Sequence, residues 1–220
     1  MELLQGIETR VSTRAFKSTP IPRETIEKIL WAASKSPSYA NTQPWEVVVV
    51  SGKKRDELSK VIYNLSKADA TSNTDIPTPA SWPEDADRRS KEHYANRSKV
   101  IGIARDDVAG RKALSLLNFE FYGAPCSLFL FMDASLSSWS IFDMGLFAQT
   151  VCLASHSFGL GTCLQASTVR YPDAIRDFLG IPKTKRLIIG ISIGYPDAGA
   201  KINHYHSERI GVGTFTRWYI

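Results

Sequence analysis

The run at 139–158, WSIFDMGLFAQTVCLASHSF, constrains this chain more than any other feature. Ile141, Phe142, Leu146, Phe147, Val151, Leu153 and Phe158 fall on every side of a helix and not on one stripe. A helix that is apolar all round is buried, either in the centre of a domain or between subunits. Its apolar surface exceeds what one domain's core needs, and a symmetric copy is the commonest way to cover such a surplus. At 220 residues the chain is long enough for one large domain with a full core. The expectation is therefore a single domain over 1–220, built around this helix and paired with a second copy.

The apolar segments that could pack on it are short. WEVVVVSG at 45–52, SLFLFMD at 127–133 and RLIIGISIGYP at 186–196 read as core strands, the first closed by Gly52. Ile26, Ile29, Leu30 and Ala33 recur at helical spacing behind Pro22 and predict a helix over 22–35. Further helices are expected over 53–68, 85–98 and 107–122. Helices on a small mixed sheet imply an α+β fold. DATSNTDIPTPASWPED at 69–85 reads as a long surface loop, and long loops in compact domains often act as lids.

Charge and cysteine usage exclude several classes. A net charge of +5 favours anionic partners. The basic residues are dispersed, without the long block or module of a nucleic-acid binder, and a phosphate-bearing small molecule satisfies the same charge. Runs of apolar residues near 127–132 and 186–193 are too short to span a bilayer. MELLQGIETR shows no secretory h-region, and the cytoplasm is the expected setting. Cys126, Cys152 and Cys163 fit neither a disulfide framework nor a metal knuckle and read as buried, inert thiols. No metal site is expected at His204 and His206, which have no carboxylate-rich neighbour.

Three constellations remain. Arg10-Val-Ser12-Thr-Arg14 offers two forked cations and two hydroxyls to a phosphate, or is simply a solvated helix end. GLGTCLQA at 159–166 reads as a loop whose glycines admit a ligand, or as a helix C-cap and turn. Its third glycine position is Leu164 and it follows a helix, so it is no dinucleotide fingerprint. Ser207-Glu-Arg209 is an anion clamp or a surface arginine. No GxSxG, HExxH or convincing Cys–His pair is present, so the chain offers binding groups without an acid–base team. That points to a cofactor as the reactive group.

In order along the chain, Arg10-x-Ser12-x-Arg14-x-Phe16, PIPRETIEKILWAASKSPSYANTQPW (20–45), FYGAP (121–125), DMGLFAQTVCLAS (143–155), GLGTCLQ (159–165), IIGISIGYP (188–196) and SERIGVGTFTRW (207–218) together resemble the FMN-dependent nitroreductase family, nearest its nitrobenzoate-reductase-like branch. The resemblance implies an intertwined homodimer with shared flavin sites. It implies FMN held by Arg10, Val11, Ser12, Arg14 and Arg209, with Leu164, Gln165 and Ala166 against the ring. Pro37, Ser38, Tyr39 and Asn41 would reach the partner's flavin, while Gln43 and Trp45 fix that loop. The 69–105 segment would be a variable lid, and the 197–220 tail would serve both the cofactor site and the dimer. The implied activity is ping-pong transfer of hydride from NAD(P)H to the flavin and then to nitroaromatic or quinone-type acceptors, with no catalytic side chain. Reductive dehalogenation, flavin destruction and FMN storage are the alternatives on this scaffold.

Overall fold

The structure, a computed structural model, describes residues 2–104 and 106–220; Arg105, the last residue of the expected lid, lies outside the described residues. Its centre is β2 (Cys126–Asp133), with the strand order β1 (Glu46–Ser51), β2, β4 (Lys185–Gly194), β3 (Gly161–Gln165). Each strand pair is antiparallel, with Val48 opposite Phe129, Leu128 opposite Ile191, and Cys163 opposite Ser192. The sheet expected to be mixed has a parallel contact in the isolated bridge between Ser12 and Thr162.

Helices cover both faces, which explains why β2 reads as an unbroken apolar run and not as an alternation. Leu128, Leu130 and Met132 pack with Ile26 and Ile29 of α2 (Arg23–Ala33) and with Met144, Phe147 and Val151 of α6 (Ser138–Ser157). Phe129 and Phe131 face the other way, onto Leu58 and Ile62 of α3 (Gly52–Lys67) and Ile175 of α7 (Pro172–Leu179). The remaining helices are α1 (Leu3–Thr9), α4 (Glu84–Ile101), α5 (Val108–Leu116) and the short α8 (Val212–Phe215).

Several expectations shift. Gly52 opens α3 instead of only closing β1. The helix expected to run to residue 122 stops at Leu116, and Phe121, Tyr122 and Gly123 all take left-handed φ (56°, 54° and 76°). GLGTCLQA divides: Gly159 (φ 72°) lies just past the end of α6, and 161–165 is the strand β3. The strand went unread because its Gly-Thr-Cys start carries little β signal. α7 was likewise unforeseen. The loop after α3 is tied down early: Asp75 pairs with the buried Arg176 and accepts from the Leu187 N–H at 2.7 Å. The surplus on α6 is smaller than its composition suggests, since Phe147 and Val151 are fully enclosed by the chain's own core. Trp139 and Phe142 remain exposed, at 64% and 61%.

The N-terminal arm, residues 10–17, is stitched between β3 and the segment after β4. Thr13 N–H donates to Thr162 (2.9 Å), Lys17 N–H to Tyr195 (2.9 Å), and Asp197 N–H to Ala15 (3.0 Å). Thr13 is buried and lies so close to Gly161 that a Cβ there would sit 2.2 Å from its Oγ1 and 2.7 Å from its Cβ. Gly161→Ala must therefore displace the arm or the strand. A loss of about 1–3 kcal/mol is expected from such overpacking, read from denaturant unfolding. Unchanged stability would mean that the arm is not seated as described.

Candidate functional site

The 36–45 loop is riveted to α6. Ser36 Oγ donates to Thr150 Oγ1 (2.8 Å), and Tyr39 N–H is shared by both carboxylate oxygens of Asp143 (3.1 and 3.2 Å). Trp45 stacks on Phe147 with ring centroids 4.8 Å apart, and Tyr39 stacks on Trp139 at 6.2 Å. Gln43 N–H donates to Ser38 Oγ, and its side-chain amide reaches Asn41. Gln43 and Trp45 thus fix the loop, as expected. Ala40, Asn41 and Gln43 hold left-handed φ values without being glycine (49°, 58° and 47°). Such strain persists only where surrounding contacts impose it, and it clusters at functional sites. Pro37, Tyr39 and Asn41 point out into solvent, and Ser38 is half-buried.

The arm forms a second group. Arg10, Val11 and Thr13 line a cavity of about 340 Å³ with His156, the 159–162 turn, Asn203 and His204. Burial, and then the Arg10 charge, hold the His156 imidazole below its usual pKa, so it adds no further cation near neutrality. Thr9 Oγ1 lies 2.8 Å from His156 Nε2. Asn203, which the sequence did not flag, clamps the arm. Its Oδ1 accepts from Arg14 N–H (2.7 Å), and its Nδ2 donates to the carbonyls of Ala15 (2.8 Å) and Asp197 (2.9 Å).

β3 supplies a wall. Main-chain groups on a strand alternate in direction. Those of Leu164 therefore face the same open edge as Thr162, whose carbonyl receives Thr13. Leu164 and Ala166 present side chains outward, with Leu164 43% exposed. Gln165 is turned inward: its amide donates to the Asn118 carbonyl (3.0 Å) and its Oε1 accepts from Ser192 Oγ. Its side chain is thus part of the core, not of the wall.

Beside Leu164 opens a cavity of about 320 Å³, lined by Arg14, Arg97, Arg111, Tyr122, Cys163 and Ser167 among others. The left-handed pair Phe121–Tyr122 sets the Tyr122 ring against this cavity, and its hydroxyl donates to Asn118 Oδ1 (2.9 Å). Burial pushes the Cys163 thiol up to about 11 and Cys126 up to about 12, so neither is a thiolate at neutral pH. All three cysteines are free and buried, as the sequence implied.

Two features stand apart. Arg209 is exposed, and its guanidinium folds back onto Ser207 Oγ (2.6 Å) and the Ser207 and Glu208 carbonyls; it lines neither cavity. A larger concavity, about 850 Å³, contains none of the expected site residues. It runs along the unpaired edge of β1, past Ile21, Ile26, Leu30 and Val49. Size alone does not make it the site, because its lining lacks the arm's cations and the β3 wall.

Comparison with known proteins joins these pieces. The profile of the nitroreductase family matches residues 7–195. The chain belongs to the nitroreductase family. It is 35% identical to a 4-nitrobenzoate reductase of Pseudomonas putida, over 96% of this chain and 93% of that one. It superposes with a TM-score of 0.93, at 32% identity and full coverage of both chains, on the FMN-dependent nitroreductase NfnB of Mycobacterium smegmatis in complex with NADPH. The FMN- and NADPH-dependent NfnB of Sphigopyxis sp. strain HMH superposes at 0.96 with 28% identity, over 100% of this chain and 99% of that one.

Asp143 is the residue that sequence reading should have found, since it is the one acidic residue in the apolar run 139–158. Asp143→Ala removes a charge-assisted hydrogen bond and should cost about 1.5–3 kcal/mol. The Tyr39 amide should exchange hydrogen faster in this variant than in the parent. An unaltered exchange rate would show that other contacts hold the loop.

Proposed function

We propose that the chain is an FMN-dependent oxidoreductase that draws electrons from NAD(P)H and passes them to nitroaromatic or quinone-type acceptors in ping-pong order. The observation that carries this reading is the arm: Arg10, Ser12 and Arg14 stitched to the open edge of β3, beside the outward-facing main chain of Leu164. The residues fit a flat anionic cofactor. Arg14 has no carboxylate within ion-pair distance among the described residues; its guanidinium makes a long contact to the Ser12 carbonyl (3.4 Å) and adjoins the Tyr122 hydroxyl. Arg10 and Ser12 would hold phosphate and Arg14 the ring edge, with Leu164 and Ala166 as an apolar wall. Arg209 would add a second phosphate cation on leaving its present local contacts. FMN, when bound, supplies the electron-transfer chemistry that no side chain here provides.

The protein's own work is to bind, orient and exclude water. The cations offset negative charge beside the wall, where low dielectric strengthens each contact. No side chain is assigned a catalytic role. On mixing with NADPH, the yellow protein should bleach, and nitrobenzene should restore its colour. Slow or absent bleaching despite bound FMN would favour a storage protein and overturn this reading.

The same reading includes a homodimer and a cytoplasmic setting; no helix among the described residues is long and apolar enough to cross a membrane. Asp143 and His156, which mark the loop and arm ends of α6, lie about 20 Å apart along its axis. Loop residues 37–41 line neither cavity of their own chain. Exposed Trp139 and Phe142 adjoin them, and Trp218, Tyr219 and Ile220 of the tail are also bare. The open β1 edge is another surface that a partner would cover. Phe142→Glu places a charge on that face without touching the chain's core, whereas Val151, fully buried, reports only on the core. The variant should yield monomers that release flavin on dilution, by sedimentation and fluorescence. A monomer that keeps FMN at full affinity would show that each loop serves its own chain.

A further inference from the structure

The left-handed turn at Phe121 and Tyr122 brings in two aromatic side chains from the connection between α5 and β2. Phe121 has a packing reason: it is buried edge-on against Phe129, with ring centroids 6.0 Å apart. Tyr122 is buried too, and its ring alone would serve for packing. Packing therefore leaves the hydroxyl unexplained. The turn carries it to the cavity beside Leu164, where it adjoins the Arg14 guanidinium and donates to Asn118 Oδ1 (2.9 Å). Burial, ahead of any neighbouring charge, raises the Tyr122 phenol above its ordinary pKa, so it stays a neutral hydroxyl. A neutral hydroxyl donates one hydrogen bond and keeps lone pairs for a guanidinium donor.

Asn118 is fixed in turn through all of its hydrogen-bonding groups. Its N–H and Nδ2 both donate to the Ser115 carbonyl (3.2 and 3.0 Å). Its own carbonyl accepts from Phe121 N–H (3.1 Å) and from Gln165 Nε2 (3.0 Å). Gln165 is held by Ser192, fully buried on β4. The contacts thus run from Ser192 through Gln165, Asn118 and Tyr122 to Arg14, and they tie the guanidinium to the central sheet. Linked hydrogen bonds of this kind polarise one another and rigidify their members. Arg14 needs such a brace, because no carboxylate among the described residues pairs with it and a long side chain resists being fixed. Resting on the reading that puts Arg14 at the ring edge, we propose that Tyr122 is a positioning residue: with Asn118 it holds the Arg14 guanidinium beside Leu164 and so raises the reduction potential of the bound flavin. Reduction adds electrons to the ring, and a cation kept close stabilises the electron-rich form over the oxidised one. A guanidinium free to swing into water does so far less, because the solvent weakens its field.

The test uses Tyr122→Phe, which removes one oxygen and keeps the ring, together with Arg14→Gln and the double variant. In the flavin-loaded protein, Tyr122→Phe should lower the two-electron potential by about 30 mV, a tenfold change in the ratio of reduced to oxidised FMN affinity. In the Arg14→Gln background the same substitution should change nothing further, since no guanidinium is left to position. NMR of the flavin-free protein gives a readout independent of the cofactor. Arg14 Nε–H should exchange with water roughly tenfold faster in Tyr122→Phe than in the parent, as expected for a lost hydrogen bond to a charged group. An unchanged potential in Tyr122→Phe overturns the proposal. So does a shift that persists in full in the Arg14→Gln background, which would make Tyr122 act on the flavin directly. Equal Arg14 exchange in parent and variant overturns it as well. If Arg14→Gln alters neither FMN affinity nor potential, the placement of Arg14 at the ring edge falls, while the exchange rates still decide whether Tyr122 braces Arg14.

Discussion

The main-chain bond from Thr13 to Thr162 fixes where every cation of the arm can stand. Residues 10–14 have no helix or regular strand of their own. They take their direction from the edge of β3 and from Asn203, which accepts from one arm amide and donates to a neighbouring arm carbonyl. The close approach is possible because Gly161 has no side chain where Thr13 must lie. One missing methyl group thus sets the distance between the arm and the sheet, and with it the placement of Arg10 and Arg14 on either side.

α6 acts as a ruler between the two halves of the site. Its apolar faces lock it against the sheet and α2, leaving it little freedom to shift. Asp143 near one end holds the strained loop, and His156 at the other meets Thr9 and the Arg10 cavity. A carboxylate inside so apolar a helix is costly unless hydrogen-bonded. The Tyr39 amide meets that need, and through it the loop's position is tied to a helix packed against both the sheet and α2.

Most of the architecture was legible in the sequence because it rests on periodicity. The strands at 46–51, 126–133 and 185–194 and the helices at 23–33 and 138–157 are long apolar patterns, and they lie where those patterns place them. β3 and the 117–123 turn were not legible. β3 owes its strand to the partner β4 and the arm, and Tyr122 owes its left-handed backbone to tertiary packing. Arg10, Ser12, Arg14 and Leu164 stand in local motifs, and the motifs alone suggest them as site residues. Asn203 clamps an arm that lies far from it in sequence, and nothing near it in the chain announces that role. Strand alternation, not the motif, decides where the Gln165 side chain goes: it turns toward Ser192.

The division of labour between rigid and superficial elements bears on how such a chain can diverge. Thr13 of the arm, the inner side of β3 and the sheet-facing side of α6 are closely packed, whereas α4 and α5 bury none of their residues. Residues such as Arg97 can therefore be exchanged at small cost in folding stability. Substitutions on α4 and α5 thus leave the packing beneath undisturbed, because that surface is separate from the core. Random mutagenesis of the chain would accordingly find tolerated changes concentrated on α4 and α5, and at Thr13 and Gly161 few would keep the arm seated.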